Sequence, residues 1–284
     1  MRLSGAVLRL AERSLRFEYD AGGVTPQSGF MGTGWRTLPQ LVTACISYPS
    51  KYEFADGRKG LIRAGDTALV PPGLHHCLGK STRQAGVSRW SHVSYLLFGS
   101  LDPFRFVDLP SFVSGPDSER IGALNAELVE VSARAGAEGL GLADLARKQA
   151  LGWSLLETVL KHARERPESA RMAAGVERLA GTLEFLNAHF AEPLRLDELA
   201  RRAHLSPSRF HAVFKAVLGV SPQAYWTALR LRRAQEELLR GSRSVKEIAA
   251  AVGMRDPFHF SRAFKAAFGQ SPQAYRATVR RSLI

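Results

Sequence analysis

Apolar residues alternate with polar ones over the first third of the chain and recur every three or four positions over the rest. From Leu41 to Tyr48, Val42, Ala44 and Ile46 alternate with Thr43, Cys45 and Ser47. From Ser91 to Phe98, Val93, Tyr95 and Leu97 stand opposite His92, Ser94 and Leu96. A period of two belongs to a strand with one face covered. Glycine and proline clusters at 22–34, 56–65, 71–73 and 99–103 separate such runs, so residues 1–112 are predicted to form a sandwich or barrel of short strands. From Pro116 the period becomes helical, with Ile121, Leu124, Leu128 and Val131 on one stripe. A glycine-containing break from Gly136 to Gly141 follows, then a second helical stretch over residues 143–164 with Leu145, Leu155, Leu156, Val159 and Leu160 apolar. Two uses suit these amphipathic helices equally: packing on their own sheet or pairing two subunits. Glu165 to Ser169 carries charge and Pro167 and reads as a linker. Beyond it, Val176, Leu179, Leu183 and Leu186, with Phe190 next, predict the entry helix of a separate all-helical part.

That last part contains a duplication. Phe214-Lys215-Ala216 leads through Gly219 to Ser221-Pro222-Gln223-Ala224-Tyr225, and Phe264-Lys265-Ala266 leads through Gly269 to Ser271-Pro272-Gln273-Ala274-Tyr275, 50 residues later. Upstream, Leu199-Ala200 matches Ile248-Ala249 at a spacing of 49, so the second copy carries one additional residue near Asp256. A repeat of this length is a duplicated supersecondary unit. Each copy reads as a short helix, a tight turn and a second helix. Ser206 before Pro207, and Asp256 before Pro257, are cap-and-start signals. Phe210, Val213, Phe214 and Val217 form the buried stripe of one second helix; Phe260, Ala263, Phe264 and Ala267 form that of the other. Helix, turn, helix is the arrangement whose second helix enters the DNA major groove.

Charge supports that direction. The chain of 284 residues carries a net charge of +13. Residues 170–284 hold 19 Lys/Arg and 9 Asp/Glu, a balance of +10, whereas residues 1–169 hold 20 and 17. The excess sits with the duplicated helices, as phosphate contact requires. No apolar run approaches the ~18 residues of a membrane span. Arg2, Arg9 and Arg13 interrupt any signal-peptide core, and Cys45 and Cys77 are too few for a disulfide framework. A cytoplasmic location, with no membrane partner, is the expectation.

Several residues together carry a family resemblance. They are Leu199-Ala200 to Leu205-Ser206, Phe214-Lys215 to Gly219, Arg230-Leu231 to Ala234 and Leu238-Leu239, then Ile248-Ala249 to Val252-Gly253-Met254, Phe260-Ser261-Arg262-Ala263-Phe264-Lys265 to Phe268-Gly269, and Ser271-Pro272 to Tyr275-Arg276. On these, residues from about 175 onward resemble the DNA-binding domain of the AraC/XylS family of bacterial transcription regulators. The resemblance implies an α+β, two-domain protein. Its cupin-like β-barrel (a jelly roll) would span residues 1–115 and sense an effector. A helical linker or dimerisation region would span 116–168, and an all-α domain with two helix-turn-helix motifs 169–284. It also implies a homodimer, contact with RNA polymerase, and activation of transcription on binding a small molecule, with no cofactor and no enzymatic activity.

Gly65-Asp66-Thr67-Ala68-Leu69-Val70-Pro71-Pro72-Gly73-Leu74-His75-His76 resembles the second cupin motif, a glycine, five residues, Pro-x-Gly, two residues and a histidine. A metal-dependent cupin enzyme with an accessory DNA-binding domain is therefore a rival expectation. It is weakened because no histidine precedes His75 to complete a first motif, whereas a metal cage needs three or four converging ligands. A small-molecule pocket remains, with Trp35, His76, Trp90 and His92 suited to stacking and hydrogen bonding, or to filling the barrel, and Arg36, Arg63 and Arg89 suited to an anion or to solvent.

The buried stripes fix the outward faces of the second helices. Pro207, Ser208, His211 and Ala212 turn outward on the first, with Ser206 at its start; Pro257, Phe258, Ser261 and Arg262 turn outward on the second, flanked by Arg255 and His259. A guanidinium can bond guanine O6 and N7 together, so Arg262 is the expected base reader, and Phe258 suits a thymine methyl. Arg201, Arg202, Arg209, Lys215 and Lys265 are expected on phosphates, which position without specifying. A connecting helix of some eighteen residues spans ~27 Å, close to the ~34 Å between successive major grooves. A non-specific architectural DNA-binding protein is the other rival reading.

Overall fold

The computed structural model describes residues 11–281 except 13, 30–31, 100, 139–140, 241–242 and 269. Arg2, Arg9 and Arg13, part of the break after Gly136, and Gly269 of the repeat lie outside them. The chain divides into two compact units. One comprises Arg16–Tyr95 with Asp102–Pro167, and the other Glu168–Ile284 with the two short stretches Met1–Leu15 and Leu96–Leu101.

The first unit is mixed strand and helix. Strands β1 (Arg16–Gln27), β2 (Leu41–Ile46), β5 (Thr67–Val70), β7 (Gly86–Leu96) and β9 (Phe112–Val113) form a five-stranded sheet in the order β1-β7-β2-β5-β9. Strands β3 (Ser50–Phe54), β4 (Lys59–Ile62) and β6 (His76–Lys80) form a second sheet in the order β4-β3-β6. A short pair, β8 (Val107–Asp108) with β10 (Arg164–Glu165), completes the unit's strands. The even-numbered residues of β2, Val42, Ala44 and Ile46, pack with Ile62 and Leu78 of the second sheet. Of the predicted sandwich or barrel, the described residues form two sheets that share no ladder and pack face to face, with no closed barrel among them.

The odd-numbered face of β2 departs from its pattern. Thr43, Cys45 and their neighbours look solvent-facing in the sequence, yet all six residues of the strand are buried. Helix α1 (Pro116–Glu138) covers that face. Asn125 of α1 accepts from the hydroxyls of Thr43 (3.0 Å) and Ser91 (2.7 Å), and the hydroxyls of Thr67 and Ser118 lie 2.8 Å apart. Gly122 permits the close approach, since a Cβ there would stand 2.8 Å from Cys45 Sγ. Helix α2 (Leu142–Leu160) packs beside it: Tyr95 Oη donates to the Gly152 carbonyl at 2.6 Å and Phe17 fills the space opposite Gly152. Both helices therefore use their apolar faces on their own sheet. Leu145 and Leu160, predicted on the buried stripe, are 46% and 38% exposed.

The second unit is helical: α3 (Ser169–Ala188), α4 (Leu196–Arg202), α5 (Pro207–Leu218), α6 (Pro222–Arg240), α7 (Val245–Ala251), α8 (Pro257–Phe268) and α9 (Pro272–Arg281). Pairs α4/α5 and α7/α8 match in length, 7 and 12 residues each. The turn between them has four residues in the first pair and five in the second, which places the additional residue of the repeat in that turn. Among the described residues no helix is long and apolar enough to cross a membrane.

The repeated residues have one structural job. Gly219 ends α5 in the left-handed conformation (φ 78°), its N–H bonding the Lys215 carbonyl. Ser221 and Ser271 then cap α6 and α9, each accepting from the N–H three residues on at 3.2 Å. Tyr225 lands edge-on against Phe214 at 5.5 Å and Tyr275 against Phe264 at 5.7 Å. Such pairs add ~0.5–1.5 kcal/mol beyond the area they bury. The copies are therefore alike because each must seat a long following helix on its own aromatic core.

Candidate nucleic-acid interface and internal cavity

Helix α5 starts because the Ser206 side chain accepts from Arg209 N and Pro207 opens the first turn. Phe210 and Phe214 are fully buried, so its rotation is fixed. Ser208, Arg209, His211, Ala212 and Lys215 are consequently exposed, as are Ser206 and Pro207. Helix α8 is built the same way. Asp256 Oδ1 accepts from Phe258 N at 2.9 Å, and Phe260 and Phe264 are fully buried. Arg255, His259, Arg262 and Lys265 are exposed, Pro257 and Ser261 are half-buried, and Phe258 is 80% exposed. An aromatic ring that bare on an otherwise well-filled helix is unusual.

Not every cation stands ready for phosphate. Arg201 is exposed, but Arg202 pairs with Glu198 at 3.0 Å and lies 3.7 Å above the Phe185 ring. Helix α6 separates the two pairs; its 19 residues span ~28 Å at ~1.5 Å each.

Sequence reasoning names Arg230 among the residues of the resemblance but gives no role to it, and it is the residue that sets the second pair in place. Arg230 of α6 counts as one more positive charge in the sequence, yet only 6% of it is exposed. Its guanidinium donates to four backbone carbonyls: Phe190 (2.7 Å), Ala191 (2.9 Å), Glu192 (2.7 Å) and Gly253 (2.9 Å). It also lies 3.2 Å above the Trp226 ring. Burial draws its pKa down to about 10, so it stays charged near neutrality. One fork thereby joins the end of α3 to the turn of α7/α8.

The two turns are not equivalent. The second uses Gly253 at φ 76°; the first has His204 at φ 54° in the matching position. A side chain in the left-handed region costs ~1–2 kcal/mol, and glycine's extra freedom when unfolded costs ~0.5–1 kcal/mol. His204→Gly is therefore expected to raise the unfolding free energy of this unit by ~0.5 kcal/mol, read by urea denaturation. A loss would mean the imidazole makes a compensating interaction.

In the first unit, a cavity of about 170 Å³ lies between the two sheets. Arg36, Trp90 and His92 of the predicted residues line it, together with Tyr48 and Lys80. The others do not line it. Trp35 is 49% exposed and stacks on His75 at 5.0 Å, outside the cavity. Arg63 is exposed and also outside it. His76 is fully buried behind Arg36. Its Nδ1–H donates to the Leu74 carbonyl at 2.8 Å and its Nε2 accepts from Arg36 Nε at 3.3 Å, so both ring nitrogens are engaged and neither is left for a metal. Among the described residues no three His, Cys, Asp or Glu converge. Burial, reinforced by the nearby Arg36 charge, lowers the His92 pKa to about 4 and keeps the ring neutral.

A helix-turn-helix domain model matches residues 199–278. The lactose operon transcription activator of Staphylococcus xylosus is 29% identical over 81 residues, 28% of this chain and 29% of that protein. The transcriptional activator RhaS of Escherichia coli is 37% identical over 82 residues, 29% of this chain and 30% of that protein. The chain thus spans about a third of the length of the curated relatives it matches. A solved AraC-type transcriptional regulator from Chromobacterium violaceum is 31% identical, covering 38% of this chain and 96% of that one, with a TM-score of 0.36. With the repeated aromatic cores, the Ser-Pro helix starts and this similarity in hand, residues 199–278 form a helix-turn-helix domain similar to those of bacterial transcription activators.

Proposed function

We propose that this chain is a sequence-specific DNA-binding transcription regulator, probing two successive major grooves with α5 and α8 and answering to a small molecule held between the sheets of its first unit. One observation carries the reading. Both 12-residue helices bury their aromatic stripe and leave a polar or basic face bare, in the unit that holds most of the chain's excess charge. Two groove-reading helices joined by a connector of ~28 Å suit neighbouring turns of one duplex. The open double sheet stands where the family resemblance expects a cupin-like sensor. Ligand binding acts by favouring the conformations, or subunit pairings, that reach the operator. RNA polymerase and a second copy of the chain are partners proposed from the resemblance.

Affinity for cognate and scrambled DNA at matched salt tests the reading, and equal affinity would turn it into a non-specific architectural protein. Two variants test the helix rotation. Arg262→Ala is expected to cost ~1–3 kcal/mol at one base pair and relax preference there. Lys265→Ala is expected to weaken all sequences alike and to reduce the salt slope by about one. The opposite assignment of these two effects would show that α8 meets DNA with another face.

A further inference from the structure

Resting on the reading of the inter-sheet cavity as a ligand site, we propose that its ligand is a compact organic carboxylate, held by Lys80 and Arg36. The cavity's lining contains these two cations and no aspartate or glutamate. Lys80 is only 5% exposed. Its ammonium has the Gln27 carbonyl at 3.3 Å and the Tyr48 ring at 4.9 Å, both neutral, and among the described residues no carboxylate pairs with it. A buried cation without a counter-charge is costly, and a ligand that brings the missing charge recovers that cost on binding. Arg36 uses Nε on His76, and no carboxylate among the described residues pairs with its guanidinium either. Gln27, also in the lining, keeps its side-chain oxygen buried with no hydrogen-bond partner, an acceptor that a ligand hydroxyl or a ligand-borne water would satisfy.

The remaining walls set the body of the ligand. Val42, Ala44, Ile46, Ile62, Ala68 and Leu78 are apolar. Apolar cavities of ~150 Å³ take up benzene, so about 170 Å³ suits a body of roughly six to ten non-hydrogen atoms. Trp90 and the neutral His92, 4.9 Å apart, offer ring faces to it. Large lipids fit this combination poorly for want of room.

Calorimetric titration of the full chain with hexanoate and benzoate, against hexanamide and benzamide, tests the charge requirement, with Trp90 fluorescence reporting occupancy. The carboxylates are expected to bind roughly tenfold or more tightly than the amides, because hydrogen bonds to charged partners are the strong ones. Lys80→Met and Arg36→Gln should each weaken the carboxylates by a similar factor and weaken the amides much less, with circular dichroism verifying the fold. Amides bound as tightly as acids, acids bound equally by both variants, or binding of neither acid overturns the proposal. Acids that bind as expected but leave operator affinity unchanged uphold the ligand class and refute instead the coupling proposed above.

Discussion

Replacing Arg230 by alanine is expected to remove ~3–5 kcal/mol from the stability of the helical unit, since hydrogen bonds to a charged group contribute ~1.5–3 kcal/mol each and four are lost together. Four carbonyls lose their donor at once, those of Phe190, Ala191, Glu192 and Gly253. Each buried acceptor left unpaired costs ~1–3 kcal/mol, less where water enters. Arg230→Lys should recover only part, since one ammonium cannot reproduce a planar fork reaching two separate segments. By urea denaturation and thermal melting of the full chain, the transition of this unit should move down by more than ~10 °C. DNA binding should fail with it, because the turn that aims α8 loses its anchor. A change below ~1 kcal/mol would show that the fork is incidental.

Gly253→Ala is expected to cost ~3 kcal/mol or more through two independent causes. The backbone there sits at φ 76°, where an L side chain is strained. An added Cβ would also overlap the Ala191 carbonyl oxygen, which cannot retreat because Arg230 holds it. The two variants share that carbonyl, so their effects should not add; the double mutant should lose less than the two losses combined. If Gly253→Ala proved as mild as a change at the tolerant His204 position, the close packing of this turn against residue 191 would be refuted.

How much of this could be read from the sequence depends on what each residue has to do. The helical unit was legible because its repeated residues, Gly219, Ser221 and Tyr225 with the later Ser271 and Tyr275, act locally: caps, a left-handed stop, an aromatic seat. The outward faces of α5 and α8 followed from Phe210, Phe214, Phe260 and Phe264, and the exposure of His211, Arg262 and Lys265 agrees with that rotation. Arg230 was not legible, because a buried arginine looks like any other until its carbonyl partners are known, and those lie 23 to 40 residues away.

The first unit was harder to read for a related reason. Thr43 and Ser91 look like a solvated strand face, and only the Asn125 side chain, 82 and 34 residues away, makes them interior. Lys80 went unremarked, while Trp35 and Arg63 were expected at the pocket on residue type alone. Alternation tells which side chains share a face. It does not tell which face meets the other sheet and which meets a helix.

The guanidinium of Arg230 gathers three stretches of chain, the end of α3, the connector α6 and the α7/α8 turn, onto one point. Amide protons of those stretches should therefore exchange with deuterated solvent through a common opening, with one protection energy, instead of in two steps for two copies of a repeat. Duplication gave the unit two halves, and this single side chain is expected to make them melt as one.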